Sequence, residues 1–259
     1  MLSREQREAF EVGGVVRLPR ALPAPDVAAM RARLAAALAA EHGIVLAAPA
    51  TWRLPRPTGF QRLTRSGAFA AMRSPALCDA LDALFGPGGW DEPRHWGQPL
   101  LAFPEPGTRW DVPFRGWHLD LVGGASLARC PGVRLFAYLS AVDPRGGGTL
   151  AVAGSHRRVA ALAGDAPASA LGGSAGILRR LARGDRWLRA LCSSGPCGDR
   201  IATFMDAGTT SGGVPLRVVE LTGEPGDVVL MDLRVLHAAA PNVRPAPRLV
   251  LGQHVYARA

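Results

Sequence analysis

A histidine and an aspartate two positions apart, His118 and Asp120, place the strongest constraint on this chain. In an extended strand such residues point to the same side, so the imidazole and the carboxylate can converge on one point. They are two of the three ligands of the 2-His-1-carboxylate facial triad, and the third is a histidine far downstream. The candidate is His237, which follows the apolar, β-rich run 227–236. The triplet alone is weak, since a chain with six histidines also produces it by chance.

A fourth residue strengthens the interpretation. Arg248 lies eleven positions after His237 and opens the segment 248–256, which has the composition of a strand. A guanidinium group at that place can grip a carboxylate through two parallel hydrogen bonds. The sequence therefore predicts a metal site with a cation beside it for an acidic ligand.

These four residues occur in an order and spacing that resemble a known family, the phytanoyl-CoA dioxygenase-like branch of the iron(II)/2-oxoglutarate-dependent oxygenases. Three further segments carry the same resemblance: Gly-Gly-Thr-Leu at 147–150, Gly-Ser-His at 154–156 and Gly-Glu-Pro-Gly-Asp at 223–227. Each motif is common alone, and the combination is specific.

The resemblance implies a mainly β fold with flanking helices. We expect a double-stranded β-helix, a jelly roll or cupin-like barrel, with N-terminal helices packed on one sheet. The predicted organisation is a single domain over 1–259, with a helical part over about 1–95 and the β-helix over about 96–259. An insertion near 160–213 is expected to act as a lid over the metal and to shape the substrate pocket.

The resemblance also implies an activity, the hydroxylation of an unactivated C–H bond of a small organic or lipid-like substrate with release of succinate and CO2. Its cofactors would be Fe(II), 2-oxoglutarate as co-substrate, and O2. In this reading His118, Asp120 and His237 are the metal ligands and Arg248 holds the C5 carboxylate of 2-oxoglutarate. The charges of Fe(II), Asp120, 2-oxoglutarate and Arg248 then cancel, which makes a buried site far less costly.

Several secondary contacts follow from the same resemblance. Phe136 would pack against the co-substrate, and Gln98 lies where its side chain could approach the site. Relatives tend to place a cation from the region of Arg62 and Arg65 near 2-oxoglutarate, although exposed arginines are usually ordinary surface residues. One departure concerns Ala239, because many relatives carry a hydroxyl residue two positions after the distal histidine. Related halogenases have a small residue in place of Asp120, so its presence argues for hydroxylation.

Charge and cysteine usage narrow the functional classes. The formal net charge is +9, yet all 30 basic residues are arginines scattered along the chain, which does not indicate a nucleic-acid-binding patch. The cysteines Cys78, Cys130, Cys192 and Cys197 lack zinc-ligand spacing and are interpreted as thiols in a reducing compartment. No stretch has the length of a membrane span or the pattern of a signal peptide. We therefore expect a cytoplasmic protein, monomeric or homodimeric, acting on a small molecule without nucleic-acid or membrane partners.

Local patterns predict the individual elements. Ser3 and Gln6 form a capping-box signature, and Ser74-Pro75 is a helix start. Pro99 should exclude residues before Leu100 from a central strand. His156 and His254 are interpreted as structural rather than metal-binding. The predicted helices span 4–12, about 26–42 and 75–85, with a further helical piece broken at 184–185; the predicted strands span 15–18, 100–103, 133–141, 149–152, 217–221, 227–236 and 248–256.

Two other functions stay open at this point. The first is a non-catalytic or sensing member that keeps the fold and the metal without turnover. The second is a cupin-like metal enzyme that does not use 2-oxoglutarate, for which Arg248 would be dispensable. The ligand residues alone also leave desaturation and cyclisation open.

Overall fold

The computed structural model describes residues 2–121, 124, 126–195 and 198–258, so Cys197 lies outside the described residues. The strands are β1 (Val15–Leu18), β2 (Gln98–Ala102), β3 (Gly132–Tyr138), β4 (Thr149–Ala153), β5 (Thr209–Ser211), β6 (Val214–Leu221), β7 (Val228–Asp232), β8 (His237–Ala239) and β9 (Arg248–Tyr256). The α-helices are α1 (Arg4–Gly13), α2 (Ala24–His42), α3 (Gln61–Arg65), α4 (Pro75–Phe85), α5 (Ser155–Ala163), α6 (Gly173–Gly184) and α7 (Arg186–Leu191).

Two antiparallel sheets form the body of the described structure. One has the strand order β1-β7-β3-β9-β2 and the other has the order β5-β6-β4-β8. An apolar cluster between them joins Phe136 and Tyr138 of β3 to Ala151 of β4 and Leu221 of β6. The predicted fold class, a mainly β double-stranded β-helix with flanking helices, is confirmed.

The alternation of side chains along β3 separates two cores. Leu135 packs on the helical side in a cluster that includes Leu34 of α2 and Leu81 of α4, whereas Phe136 and Tyr138 face the other sheet. Each fully buried leucine of this kind contributes about 1.5–3 kcal/mol through removal of apolar surface from water. The predicted packing of the N-terminal helices on one sheet is therefore confirmed.

Several element boundaries agree with the sequence. The Ser3 hydroxyl accepts a hydrogen bond from the Gln6 amide at 3.1 Å, and the Gln6 side chain accepts one from the Ser3 amide at 2.9 Å. The break at 184–185 is present, with Asp185 capping α7. Two predictions need adjustment, since β3 ends at Tyr138 and β6 begins at Val214.

The position of Pro99 corrects the prediction for the strand 100–103. The strand begins at Gln98 and includes Pro99, which lies opposite Leu251 of β9. Proline lacks the backbone N–H that a central strand must donate, and β2 avoids this cost because it is the edge of its sheet.

A turn inside the apolar run 227–236 corrects a second prediction. The run is not one strand: β7 ends at Asp232 in the five-stranded sheet, and His237 begins β8 in the four-stranded sheet. The carboxylate of Asp232 accepts hydrogen bonds from the amide and the guanidinium of Arg234, which also donates to the Leu127 carbonyl. All residues of the crossing are buried, so hydrophobic periodicity gives no signal for the turn.

The segment 160–213 lies against the outer face of the four-stranded sheet. Its helices bury Ile177, Leu181 and Leu188 in one cluster with Leu150 of β4. We expected a lid, but no described residue of this segment lines the cavity around His118 and His237. The apolar faces of its helices pack on the outer face of the four-stranded sheet, so the insertion supports the sheet from that side.

None of the helices in the described ranges is both long and apolar enough to cross a lipid bilayer. Cys78, Cys130 and Cys192 are free thiols.

The buried ion pair at the crossing between the sheets gives a stability prediction. Replacing Arg234 by Met leaves Asp232, which is 1% exposed, without its cationic partner. We expect the free energy of unfolding to fall by about 3–5 kcal/mol, the usual cost of an unpaired buried charge. Urea denaturation of this variant and of the exposed control Arg62→Met, expected within about 0.5 kcal/mol of wild type, measures the difference. A loss as small as the control's would contradict the role given to the pair.

Candidate metal centre

His118 and His237 are joined by a pair of backbone hydrogen bonds. The amide of each residue donates to the carbonyl of the other at 3.0 Å, which forms an isolated antiparallel bridge. The expected metal-binding strand is thus a short bridge to β8 rather than a longer ladder. The bridge places the two imidazole rings side by side, with centroids 4.2 Å apart.

Asp120 completes the cluster from the same side of the chain as His118. Its carboxylate oxygens lie 3.7 Å from Nε2 of His118 and 3.4 Å from Nε2 of His237. One ligand atom from each of the three residues lies within 4.8 Å of the others, so the three could hold a metal ion. The structure thus brings these three remote residues together, and their role as metal ligands stays a prediction.

Local hydrogen bonds orient both imidazoles. Nδ1 of His118 lies 2.8 Å from the Gly116 carbonyl, and Nδ1 of His237 lies 3.0 Å from the Val235 carbonyl. A carbonyl only accepts hydrogen bonds, so each Nδ1 donates the proton in its contact, and Nε2 is the ring nitrogen that faces the cluster. Such outer contacts are typical of histidines that bind metals.

Two serines hold the adjoining backbone from the side opposite the cluster. The Ser174 hydroxyl of α6 accepts a hydrogen bond from the Leu119 amide, and the Ser155 hydroxyl of α5 accepts one from the Leu236 amide, both at 2.8 Å. The insertion and the helix before it therefore fix the residues that flank the two histidines.

The second oxygen of Asp120 has two neighbours that sequence reasoning missed or misread. His254 was expected to be a satisfied core histidine, but its Nε2 lies 3.0 Å from Oδ2 of Asp120. Arg134 received no role, although its Nε lies 3.9 Å from the same oxygen. Burial opposes ionisation of Asp120, but the close contacts of its carboxylate with the rings of His237 and His254 and the charge of Arg134 hold its pKa well below the usual range.

The guanidinium of Arg248 is buried beside the cluster. It donates hydrogen bonds to the Gly147 carbonyl at 2.7 Å and to the Thr149 hydroxyl at 3.3 Å, and its Nε has no partner. Among the described residues, none of the ion pairs within 4.0 Å involves Arg248. Burial lowers the pKa of Arg248 to about 10, which leaves it charged at neutral pH. A buried cation with a free N–H is suited to an anionic ligand.

One cavity of about 300 Å³ adjoins the His-Asp-His cluster. Its walls include the three cluster residues, Arg248, Phe136 and Gln98. His156 lies elsewhere, with Nε2 against the Glu11 carbonyl at 3.1 Å, in agreement with a structural role.

A second cavity of about 350 Å³ adjoins the first; the cavity at the His-Asp-His cluster is called the inner cavity and this one the outer cavity. The two share Thr58, Gln98, Pro99 and Arg134 as lining residues. Arg65 lines the outer cavity, whereas Arg62 lines neither.

The donor set and the buried cation together limit the chemistry. Two neutral imidazoles and one carboxylate on one side of an ion leave other coordination positions open, as in non-haem iron(II) oxygenases. Arg248 adds a buried cation to the wall of the same cavity, where an anionic group could bind.

Comparison with solved structures shows a shared fold. AviO1 from Streptomyces viridochromogenes Tue57 is 20% identical with a TM-score of 0.58, over 99% of this chain and 96% of that one. HygX from Streptomyces hygroscopicus, with nickel and 2-oxoglutarate bound, is 18% identical with a TM-score of 0.53, over 100% and 88%. EctD from S. alaskensis, with 2-oxoglutarate and 5-hydroxyectoine, is 20% identical with a TM-score of 0.53, over 99% and 76%.

No curated protein sequence matches the chain significantly. The family model described as phytanoyl-CoA dioxygenase (PhyH) matches residues 10–250. Because this match spans nearly the whole sequence, the chain belongs to the phytanoyl-CoA dioxygenase family and is an enzyme of the iron(II)- and 2-oxoglutarate-dependent oxygenase class.

Proposed function

We propose that this enzyme hydroxylates an unactivated C–H bond of a small organic or lipid-like substrate. The observation that carries the proposal is one cavity that holds a His-Asp-His cluster and a buried arginine, which has no acidic partner within 4.0 Å in the described parts of the chain. In this proposal His118, Asp120 and His237 hold Fe(II), and Arg248 holds the C5 carboxylate of 2-oxoglutarate.

When bound, iron and 2-oxoglutarate supply the oxidising chemistry, in which O2 is consumed, one oxygen atom enters the substrate, and succinate and CO2 are released. The chain's own residues bind and orient. The Nδ1 contacts of His118 and His237 fix the rings, and Phe136 gives the cavity an apolar wall. The presence of the carboxylate of Asp120 supports hydroxylation over halogenation, because it leaves no ligand position for a halide.

Two relatives of the same fold support the cofactor assignment. HygX binds nickel and 2-oxoglutarate, and EctD was obtained with 2-oxoglutarate and the hydroxylated compound 5-hydroxyectoine. The unpaired Arg248 also disfavours a cupin-like enzyme that does not use 2-oxoglutarate, because such an enzyme gains nothing from burying this charge.

The hydroxyl group that is absent at Ala239 has a substitute on the neighbouring strand. Thr149 lies directly opposite Ala239 in the pairing of β4 with β8, and both residues line the inner cavity. The Thr149 hydroxyl already accepts a hydrogen bond from Arg248. We infer that its own proton is donated to the same carboxylate of 2-oxoglutarate.

Loss of one proposed metal ligand tests the metal centre. Asp120→Ala removes the only carboxylate among the described residues that line the inner cavity, so we expect Fe(II) affinity to fall by more than about 100-fold, beyond the usual effect of losing an outer contact. Anaerobic competition against a chelator measures the affinity. The exposed control Asp165→Ala should bind iron like wild type, and an equal affinity of Asp120→Ala would refute the ligand assignment.

The role of Arg248 is tested by anaerobic titration of the Fe(II) protein with 2-oxoglutarate. Wild type should develop the weak visible charge-transfer band of the chelate. In Arg248→Ala the half-saturating concentration should rise by about 100-fold, since the C5 carboxylate loses a buried charged partner. Arg62→Ala serves as the control. If wild-type protein that is folded and loaded with iron shows no band, the proposed function fails.

The assignment of Thr149 predicts a smaller effect with a rescue. Thr149→Val keeps the shape and removes one hydrogen bond, so 2-oxoglutarate affinity should decrease by about two- to tenfold. Adding Ala239→Ser to that variant should restore most of the loss, because the new hydroxyl lies on the adjacent strand facing the same cavity. The same band titration measures both variants. Equal affinity of wild type and Thr149→Val would show that the hydroxyl only supports Arg248.

A further inference from the structure

Arg134 lies where the inner and outer cavities meet, and it lines both. Its side chain is nine-tenths buried. One terminal nitrogen lies 2.9 Å from the ring of His254, and Cζ lies 5.9 Å from the centre of the Phe136 ring. Burial lowers the pKa of Arg134, which reflects the cost of keeping this charge away from water.

The proposed contents of the inner cavity leave Arg134 without a balancing charge. The positive charges of Fe(II) and Arg248 are matched by Asp120 and the two carboxylates of 2-oxoglutarate. Arg56 is matched by Glu105 at 3.5 Å. Arg134 has Asp120 as its only ion-pair partner among the described residues, and the charge of Asp120 is already used by the metal. The loaded site therefore keeps one unbalanced, buried positive charge, which favours the binding of a single negative charge.

The outer cavity is also positive. No aspartate or glutamate is among the described residues that line it, whereas Arg65 adds a second cation at its wall. Its volume of about 350 Å³ is at the lower end of the range for small-molecule pockets. The space that adjoins the metal centre thus suits a small acidic molecule.

We propose that the substrate is a small organic acid whose carboxylate binds Arg134 at the opening between the two cavities, with the rest of the molecule in the outer cavity. This inference rests on the proposed function and names its substrate class. A carboxylate fits better than a phosphate dianion because Arg134 leaves a single buried charge to balance, whereas Arg65 is exposed and its charge is screened by water and salt.

The test uses full-length protein loaded with Ni(II) and 2-oxoglutarate, so that added acids cannot occupy the co-substrate site. Calorimetry or ligand-observed NMR compares matched pairs of probes, hexanoate with hexanamide and benzoate with benzamide, and phenyl phosphate is added as a phosphate probe. We expect the carboxylates to bind at least about tenfold more tightly than their amides, the usual advantage of a charged hydrogen bond. Equal binding of acid and amide, or no binding of any carboxylate, overturns the proposal, and so does a clear preference for the phosphate.

Variants test whether Arg134 is the residue that distinguishes acids from amides. Arg134→Gln should remove the preference for acids, Arg134→Lys should keep most of it, and the exposed control Arg62→Gln should leave it unchanged. If Arg134→Gln does not fold, Arg134→Met, which keeps a side chain of similar length without the charge, provides the comparison, and a preference for acids that survives in it overturns the proposal.

The charge-transfer titration separates this inference from the proposed function. Absence of the band in wild type removes the proposed function itself. A normal band in wild type with a loss of 2-oxoglutarate affinity in Arg134→Gln as large as in Arg248→Ala would assign Arg134 to the co-substrate, and only the substrate inference would fail.

Discussion

The candidate site depends on two backbone hydrogen bonds, those exchanged between His118 and His237. They connect a loop segment to the short strand β8, and they place two imidazoles from distant parts of the chain side by side. A bridge of one residue pair is weak alone, because its two hydrogen bonds must offset the conformational entropy that the backbone loses when it becomes ordered. Ser174 and Ser155 compensate, because their hydroxyls accept hydrogen bonds from the amides of Leu119 and Leu236. The segment expected to cover the site therefore acts from the other side, where it fixes the geometry of the proposed ligands.

The residue types that metal binding requires made the site predictable from sequence, and hydrophobic periodicity made much of the fold predictable. A facial triad needs particular residue types, so His118, Asp120 and His237 could be recognised without knowledge of their contacts. Helices and strands with one buried face, such as β9, show their pattern directly. The turn at 233–236 shows none, since every residue there is buried, and the edge position of Pro99 depends on which strand is its neighbour.

Arg134 and His254 could not be assigned from sequence for a related reason. They lie directly opposite each other in the pairing of β3 with β9, although 120 positions separate them in the chain. Only the register of that pairing brings them together at Asp120. Because side chains alternate between the two faces of β3, Arg134 lies on the same face as Phe136. This alternation was the one indication available from the sequence. An arginine between aliphatic residues on a strand is otherwise read as a surface residue.

The two buried arginines, Arg134 and Arg248, make the site favour anionic ligands. Before ligands bind, Arg248 is buried without an acidic partner within ion-pair distance among the described residues, and Arg134 shares Asp120 with His254. In the proposed function, iron draws on the charge of Asp120, 2-oxoglutarate supplies the anion that Arg248 lacks, and the remaining charge at Arg134 favours the proposed acidic substrate. Each ligand reduces the desolvation cost of a group that the fold keeps buried, so binding also stabilises the folded state. The same charges that lower the stability of the empty protein thus provide selectivity for the molecules proposed to fill it.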